Sequence, residues 1–168
     1  MSNASASPKI LGSLREENGT GTVHVEDVYN TDIDDLWSAI TQPARLARWI
    51  VTVSGDTSSG SDFGLEFTSG WSGFGRIEVC EAPRRLRVTT WSDEDAPGVI
   101  DATLSPEGDG TRLIIEESGL PIEVYHAHGA GWQAHIEDLA TYLAGGERGD
   151  WSARWRELDA PYRAMVGR

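Results

Sequence analysis

Hydrophobic positions along this chain alternate in some segments and recur every three to four residues in others. These two periods predict a mixed α+β fold. Residues 22–29 alternate between apolar and polar side chains, as in a half-buried strand. Residues 10–15 form a second strand-like segment, and Asn18-Gly19 between the two favours a tight hairpin turn. The N-terminal part of the chain is therefore predicted to be a β-hairpin.

Two short helices are predicted directly after the hairpin. Thr31 is placed to cap the first helix, and Asp34 adds negative charge to its first turn. Pro43 disfavours helical geometry at the residue before it and is suited to open a second helix over residues 44–49. The first helix carries one apolar stripe, formed by Ile33, Leu36, Trp37 and Ile40.

The middle of the chain predicts a long antiparallel meander. Turn-forming clusters rich in glycine, proline and aspartate separate six strand-like segments. These segments are residues 51–56, 63–68, 75–81, 86–91, 99–104 and 112–117. Such a sheet needs a cover on its apolar face. The predicted cover is a helix that begins around residues 129–132 and ends at Gly145, with an apolar stripe of Trp132, Ile136, Leu139 and Leu143.

A further helix is predicted after Asp150, which is a suitable N-cap. Trp151, Trp155 and Leu158 lie on one side of this helix, and Pro161 is expected to break or kink it. An amphipathic face of this kind must be buried. Packing on the same domain and a homodimer interface both satisfy that requirement.

Charge and composition narrow the classes of partner. The 168 residues include 14 basic and 27 acidic side chains, for a formal charge of −13. This field disfavours nucleic acid and membrane surfaces as partners. No apolar run approaches the ~18 residues of a membrane span, and the first nine residues lack the apolar stretch of a secretory signal. The single cysteine, Cys80, forms no internal disulfide, so a cytoplasmic protein is expected.

Three motifs carry a resemblance to a known family. The first, Trp37-x-Ala39-Ile40-Thr41-x-Pro43-x-x-Leu46-x-x-Trp49, resembles the opening signature of the activator-of-heat-shock-chaperone-ATPase-like (AHSA-type) branch of the START/SRPBCC superfamily. Gly75-Arg76-Ile77-Glu78-Val79 with Pro83-Arg84-Arg85-Leu86 is similar to that family's central strands. Gly131-Trp132-x-x-His135-Ile136-x-x-Leu139-x-x-Tyr142-Leu143 is similar to its closing helix.

The resemblance implies a helix-grip fold. In that fold a curved antiparallel sheet wraps on a long C-terminal helix, two short helices follow the first core strand, and a cavity lies between sheet and helix. The predicted organisation is a disordered lead over residues 1–9, a helix-grip domain over residues 10–146 and a C-terminal helical extension, with its extra helix, over residues 147–168.

Aromatic and imidazole side chains are the candidate ligand contacts in that cavity. On helical geometry, His128, His135 and Tyr142 share one flank of the long helix, beside the sheet-facing Trp132 and Leu139. Two more tryptophans, Trp71 in a glycine-flanked loop and Trp91 at a strand end, complete the candidate set. Ordinary packing at the helix edge is the competing interpretation of these residues.

Neither a metal nor another cofactor is expected. His128 and His135 are two helical turns apart, or about 10 Å, and one zinc ion bound at about 2 Å cannot bridge that distance. No nucleophile motif or phosphate-binding glycine loop is present. The sequence leaves open whether Glu116 or Glu117 approaches the long helix as an acid–base group, so catalytic residues are not assigned.

Three functions remain open. The first is a cytoplasmic protein that binds a small apolar, aromatic or lipid-like molecule in the cavity. The second is an enzyme of the polyketide-cyclase or hydrolase type on the same scaffold, with His128, His135 or Tyr142 as its acid–base group. The third is a chaperone ATPase activator, although only about twenty residues precede the first matching strand.

Overall fold

The N-terminal hairpin, the central strands and the four predicted helices all form. The structure is a computed structural model that describes residues 8–166, so positions 1–7 of the predicted lead lie outside the described residues. The elements run in the following order along the chain: β1 Gly12–Glu17, β2 Thr20–Tyr29, α1 Ile33–Thr41, α2 Pro43–Trp49, β3 Val51–Ser54, β4 Asp62–Phe67, β5 Ser72–Glu81, β6 Arg85–Trp91, β7 Gly98–Glu107, β8 Gly110–Leu120, α3 Tyr125–Leu143 and α4 Trp151–Arg163.

The strands of the described chain form one antiparallel sheet in the order β1-β2-β8-β7-β6-β5-β4-β3. Strands β3 to β8 form the predicted meander, and β2 pairs with β8 so that Val25 lies opposite Ile115. The long helix α3 packs across β2, and its side chains Ile136 and Leu139 are fully buried in the main core. The predicted helix-grip architecture is confirmed. No helix of residues 8–166 is long and apolar enough to cross a membrane.

The first helix has a different cap from the predicted one. Asp32, and not Thr31, is the N-cap of α1, and its carboxylate accepts a hydrogen bond of 2.8 Å from the backbone N–H of Asp35. The Thr31 hydroxyl instead donates to the Asp35 side chain at 2.6 Å. Asp32 is the preferred N-cap because its carboxylate accepts the backbone hydrogen bond and also places negative charge at the start of the helix.

The last two helices also differ from their predicted bounds. Helix α3 begins at Tyr125, before the predicted start, and passes through Gly129 and Gly131. Helix α4 continues through Pro161, which the sequence predicted to break or kink it, and ends at Arg163. Tyr162 holds this last turn in place, since it is fully buried and its hydroxyl donates to Gln133 at 2.7 Å.

The apolar face of α4 is buried against α3 within the chain. Ala130 and Ala134 of α3 form a second small core with Leu158 and Tyr162 of α4. The Asp150 cap is confirmed, because its carboxylate accepts from the N–H of Ala153 at 3.1 Å. A homodimer through α4 stays a prediction.

Candidate functional site

A cavity of about 470 Å³ lies beside the N-terminal half of α3. Residues of β7 and β8 line it, together with the loops between β4 and β5 and between β6 and β7. Helix α4 contributes the remaining wall. Residues of the sheet, of the long helix and of the C-terminal extension therefore all line this cavity.

Four of the predicted candidate residues line this cavity. His128, Trp132 and His135 recur at spacings of four and three residues along α3, which brings them to one face of the helix. Trp71 reaches the cavity from the loop after β4. These side chains come from segments about sixty residues apart in the sequence.

Glu117 is a charged group of the cavity to which the sequence assigned no position. It lies on the inner face of β8, the same face as the buried side chains of Leu113 and Ile115, and is only 8% exposed. Its Oε1 atom accepts hydrogen bonds from Nδ1 of His128 at 2.9 Å and from Nε1 of Trp132 at 3.0 Å. The alternation of β8 was a sufficient sequence signal, because it places residue 117, and not 116, on the inner face.

Glu117 also sets the protonation of His128. Burial by itself lowers the pKa of the imidazole, but the hydrogen bond and negative charge of Glu117, with a contribution from Asp95, raise the pKa of His128 above its ordinary value. The raised pKa favours the protonated form of His128 relative to an ordinary histidine. The pair has the geometry of a base that is oriented by a carboxylate.

The surroundings of His135 shift its pKa in the opposite direction. Its ring lies among the rings of Phe67, Trp132 and Trp151, at centroid distances of 5.9, 5.7 and 5.4 Å. Burial, with a smaller contribution from the positive charge of Arg148, lowers the pKa of His135 to about 3. The imidazole is therefore neutral at physiological pH, and its buried Nδ1 atom has no hydrogen-bond partner within residues 8–166.

Two tryptophans of α4 complete the aromatic lining. Trp151 and Trp155 stack at a centroid distance of 6.4 Å and both line the cavity. Their indole N–H groups donate to the backbone carbonyls of Gly131 at 3.3 Å and Ala127 at 3.0 Å. These bonds fix the orientation of both rings on α3. The sequence identified the face to which these residues belong but could not give the angle at which α4 docks.

A hydrogen bond joins the β4–β5 and β6–β7 loops beside the cavity. Nε1 of Trp71 donates to the Asp95 carboxylate at 2.9 Å, and the same oxygen accepts from the Ser92 hydroxyl at 3.0 Å. Phe67 packs edge-to-face on Trp71 at 5.6 Å. The position of the Trp71 ring therefore depends on both loops.

The other three predicted candidates lie outside this cavity. Leu139 is fully buried in the main core. The Tyr142 hydroxyl accepts from Nε of Arg45 at 2.8 Å, because the last turns of α3 contact α2 rather than the cavity. Trp91 stacks on Phe74, and the Arg76 guanidinium lies 5.3 Å from its ring. Among the described residues, no group of three or more His, Cys, Asp or Glu side chains could hold a metal ion.

Comparison with known proteins adds a family and several similar structures. The profile of the family described as activator of Hsp90 ATPase homolog 1-like protein matches residues 30–144. No curated protein matches the chain. The crystal structure of CalU16 from Micromonospora echinospora is similar over 94% of this chain and 96% of that chain, with 25% sequence identity and a TM-score of 0.77.

Two further solved structures share the fold. DynU16, a protein in the dynemicin biosynthetic locus, is 25% identical, with a TM-score of 0.68 over 77% of this chain and 50% of that chain. The protein encoded by gene BPP1335 from Bordetella parapertussis is 23% identical, with a TM-score of 0.70 over 97% of this chain and 94% of that chain.

Proposed function

The chain belongs to the family of activator of Hsp90 ATPase homolog 1-like proteins, and we propose that it is a cytoplasmic protein that binds a small aromatic molecule in the cavity beside α3. The observation that carries this proposal is the fixed arrangement of four tryptophans around one cavity. These residues are Trp71, Trp132, Trp151 and Trp155.

The size and construction of the cavity support this proposal. Its volume of about 470 Å³ lies within the ~300–1,000 Å³ range of small-molecule sites. Each of the four indoles donates its N–H to a protein acceptor. The ring faces are thereby held in place before a ligand arrives, which reduces the entropy lost on binding.

One of the similar proteins supports a small molecule as ligand. DynU16 is a protein in the dynemicin biosynthetic locus. A protein of a biosynthetic locus favours a small molecule over a macromolecule as the ligand of this cavity. The electrostatic field of a chain with a formal charge of −13 disfavours nucleic acid in the same position.

Calorimetric titration with 2-naphthol tests the proposal. We expect a dissociation constant below about 1 mM for this bicyclic aromatic, from the ligand efficiency usual for molecules of its size. Ala127 lines the cavity and accepts the Trp155 hydrogen bond with its backbone carbonyl, so Ala127→Phe fills the space while it keeps the acceptor of that bond. This variant should lose binding at least tenfold.

Ala140→Phe is the matched control, because Ala140 is exposed on the same helix. It should bind 2-naphthol as the native protein does. Undetectable binding of 2-naphthol to the native protein, or equal binding by Ala127→Phe, would contradict the proposal.

One observation favours an enzyme as the second candidate function. Nδ1 of His128 lies 2.9 Å from Oε1 of Glu117, so a carboxylate orients the imidazole as in a general base. His135 stays neutral and Tyr142 lies outside the cavity, so His128 is the residue that this alternative requires. The enzyme alternative predicts that the protein hydrolyses 2-naphthyl acetate and releases 2-naphthol. His128→Gln should abolish this hydrolysis, and His126→Gln should preserve it. A rate of hydrolysis no faster than in buffer alone would contradict the alternative.

A further inference from the structure

We infer that the ligand of this cavity donates a hydrogen bond to Oε2 of Glu117, so that the site selects aromatic molecules with a donor such as a hydroxyl group over hydrocarbons and carboxylates. This inference rests on the proposed function and names the chemical class of its ligand. It follows from the bonding of one buried carboxylate and from the charges around it.

Glu117 lies where an apolar side chain would continue the core. Its neighbours on the inner face of β8, Leu113 and Ile115, are 1% and 4% exposed, and Glu117 is 8% exposed at the edge of the cavity. A carboxylate in such a position is costly unless its oxygens are hydrogen-bonded. The hydrogen-bond partners of Glu117 therefore indicate the role of a carboxylate at this position.

Both protein donors to this carboxylate use the same oxygen. Nδ1 of His128 and Nε1 of Trp132 donate to Oε1, at 2.9 and 3.0 Å. Within residues 8–166, Oε2 makes neither a hydrogen bond nor an ion pair, and it is not sealed from solvent. Oε2 is consequently an acceptor that the protein leaves available in a cavity that Glu117 lines.

This available acceptor discriminates between aromatic ligands. Any ligand that fills the cavity displaces the water that would otherwise solvate Oε2. A hydrocarbon leaves the carboxylate oxygen unpaired, whereas a hydroxyl group replaces the lost hydrogen bond. Because hydrogen bonds to charged groups are stronger than neutral ones, the difference should be about tenfold or more in affinity.

The charges around the cavity act against an anionic ligand. Among residues 8–166, Glu117 and Asp95 are the acidic lining residues, and no lysine or arginine of this range lines the cavity. His128 is the lining residue with a raised affinity for protons, and it is already paired with Glu117. A carboxylate on the ligand would meet Oε2 without a counter-ion, which is unfavourable in a partly desolvated site.

Equilibrium dialysis at pH 7.5 with three ligands of one shape tests the inference. The ligands are 2-naphthol, naphthalene and 2-naphthoate, which present a donor, no polar group and an anion on the same ring system. We expect 2-naphthol to bind at least about tenfold more tightly than either of the others. Equal affinities for 2-naphthol and naphthalene would overturn the inference and leave the proposed function standing. If neither 2-naphthol nor naphthalene binds, the inference and the proposed function are both contradicted.

Glu117→Gln links the selectivity to this side chain. The amide keeps an acceptor for His128 and Trp132 but presents an N–H₂ group in place of Oε2. The preference for 2-naphthol over naphthalene should fall to about threefold or less, and 2-naphthoate should gain affinity. Glu116→Gln removes the same charge from the neighbouring residue, which pairs with Arg15 on the outer face, and should change none of the ratios. An unchanged preference in folded Glu117→Gln would also contradict the inference.

Discussion

At the scale of single residues, the two histidines of the cavity have opposite electrostatic surroundings. His128 bonds to a carboxylate, and its pKa is raised. His135 is enclosed by aromatic rings, and its pKa is lowered to about 3. Helical spacing predicted that both would lie on one flank of α3, but their protonation depends on contacts with β8 and α4 that no local pattern contains.

His135→Phe should make the protein more stable and less sensitive to acid. The folded state binds a proton on His135 only near pH 3, whereas the unfolded state binds one near pH 6.5. The stability of the native protein therefore falls as pH decreases from about 6.5, by up to about 1.4 kcal/mol per pH unit from this residue. Removing the unpartnered Nδ1 should add about 1 kcal/mol at pH 7.5.

Urea unfolding of both proteins at pH 7.5, 6.0 and 5.0 measures this effect. The free-energy gap between His135→Phe and the native protein should widen as the pH decreases. A gap that stays constant over this range would show that His135 is protonated equally in the folded and unfolded states.

Glu117 shows what residue-level reasoning from sequence can and cannot reach. The alternation of Leu113 and Ile115 places its side chain on the inner face of β8. Its hydrogen bonds to His128 and Trp132 depend on where α3 packs relative to β8. A strand pattern gives the face of a residue, and only the packed helix supplies its partners.

At the scale of elements, close packing of α4 on α3 builds one wall of the cavity. A Cβ atom added at Gly129 would lie 2.6 Å from Cδ1 of Tyr162 and 3.0 Å from Cδ2 of Leu14. Glycine at this position therefore sets the distance between the two helices. The sequence predicted α4 and its apolar face, but it treated Gly129 as the region where α3 begins.

Gly129→Ala should weaken this helix pair. The added methyl group forces the buried Tyr162 ring to move, and we expect a loss of about 1 to 2 kcal/mol after the gain in helix propensity. Gly149→Ala is the matched control, because a Cβ atom there meets no other atom within 4 Å. Urea unfolding should show a clear loss for Gly129→Ala and a change within about 0.5 kcal/mol for Gly149→Ala; equal stabilities would contradict this account of the packing.

At the scale of the whole molecule, sequence predicted the fold better than the site. Motifs from Trp37 to Trp49 and from Gly131 to Leu143 predicted the helix-grip order, and the sheet and long helix confirm it. These motifs specify the short helices and the long helix of the scaffold. The site also needs Trp151 and Trp155 of α4, which lie beyond the matched residues 30–144.

The location of the site between several elements explains this difference. Strand periodicity and helix stripes are local, so a single sequence carries them. The cavity depends on four strands, three loops and two helices at once. Of the seven predicted candidates, those nearest the start of α3 and the β4–β5 loop reach it, because α4 covers that end of the long helix.

Nuclear magnetic resonance of the indole N–H groups tests the central claim most directly, because the chain has seven tryptophans in known positions. Four of them line the cavity: Trp71, Trp132, Trp151 and Trp155. Three lie elsewhere: Trp37, Trp49 and Trp91. Titration with 2-naphthol should shift the indole signals of the first group and leave those of the second in place. Shifts confined to the second group, or no shift at saturating 2-naphthol, would contradict a ligand site in this cavity.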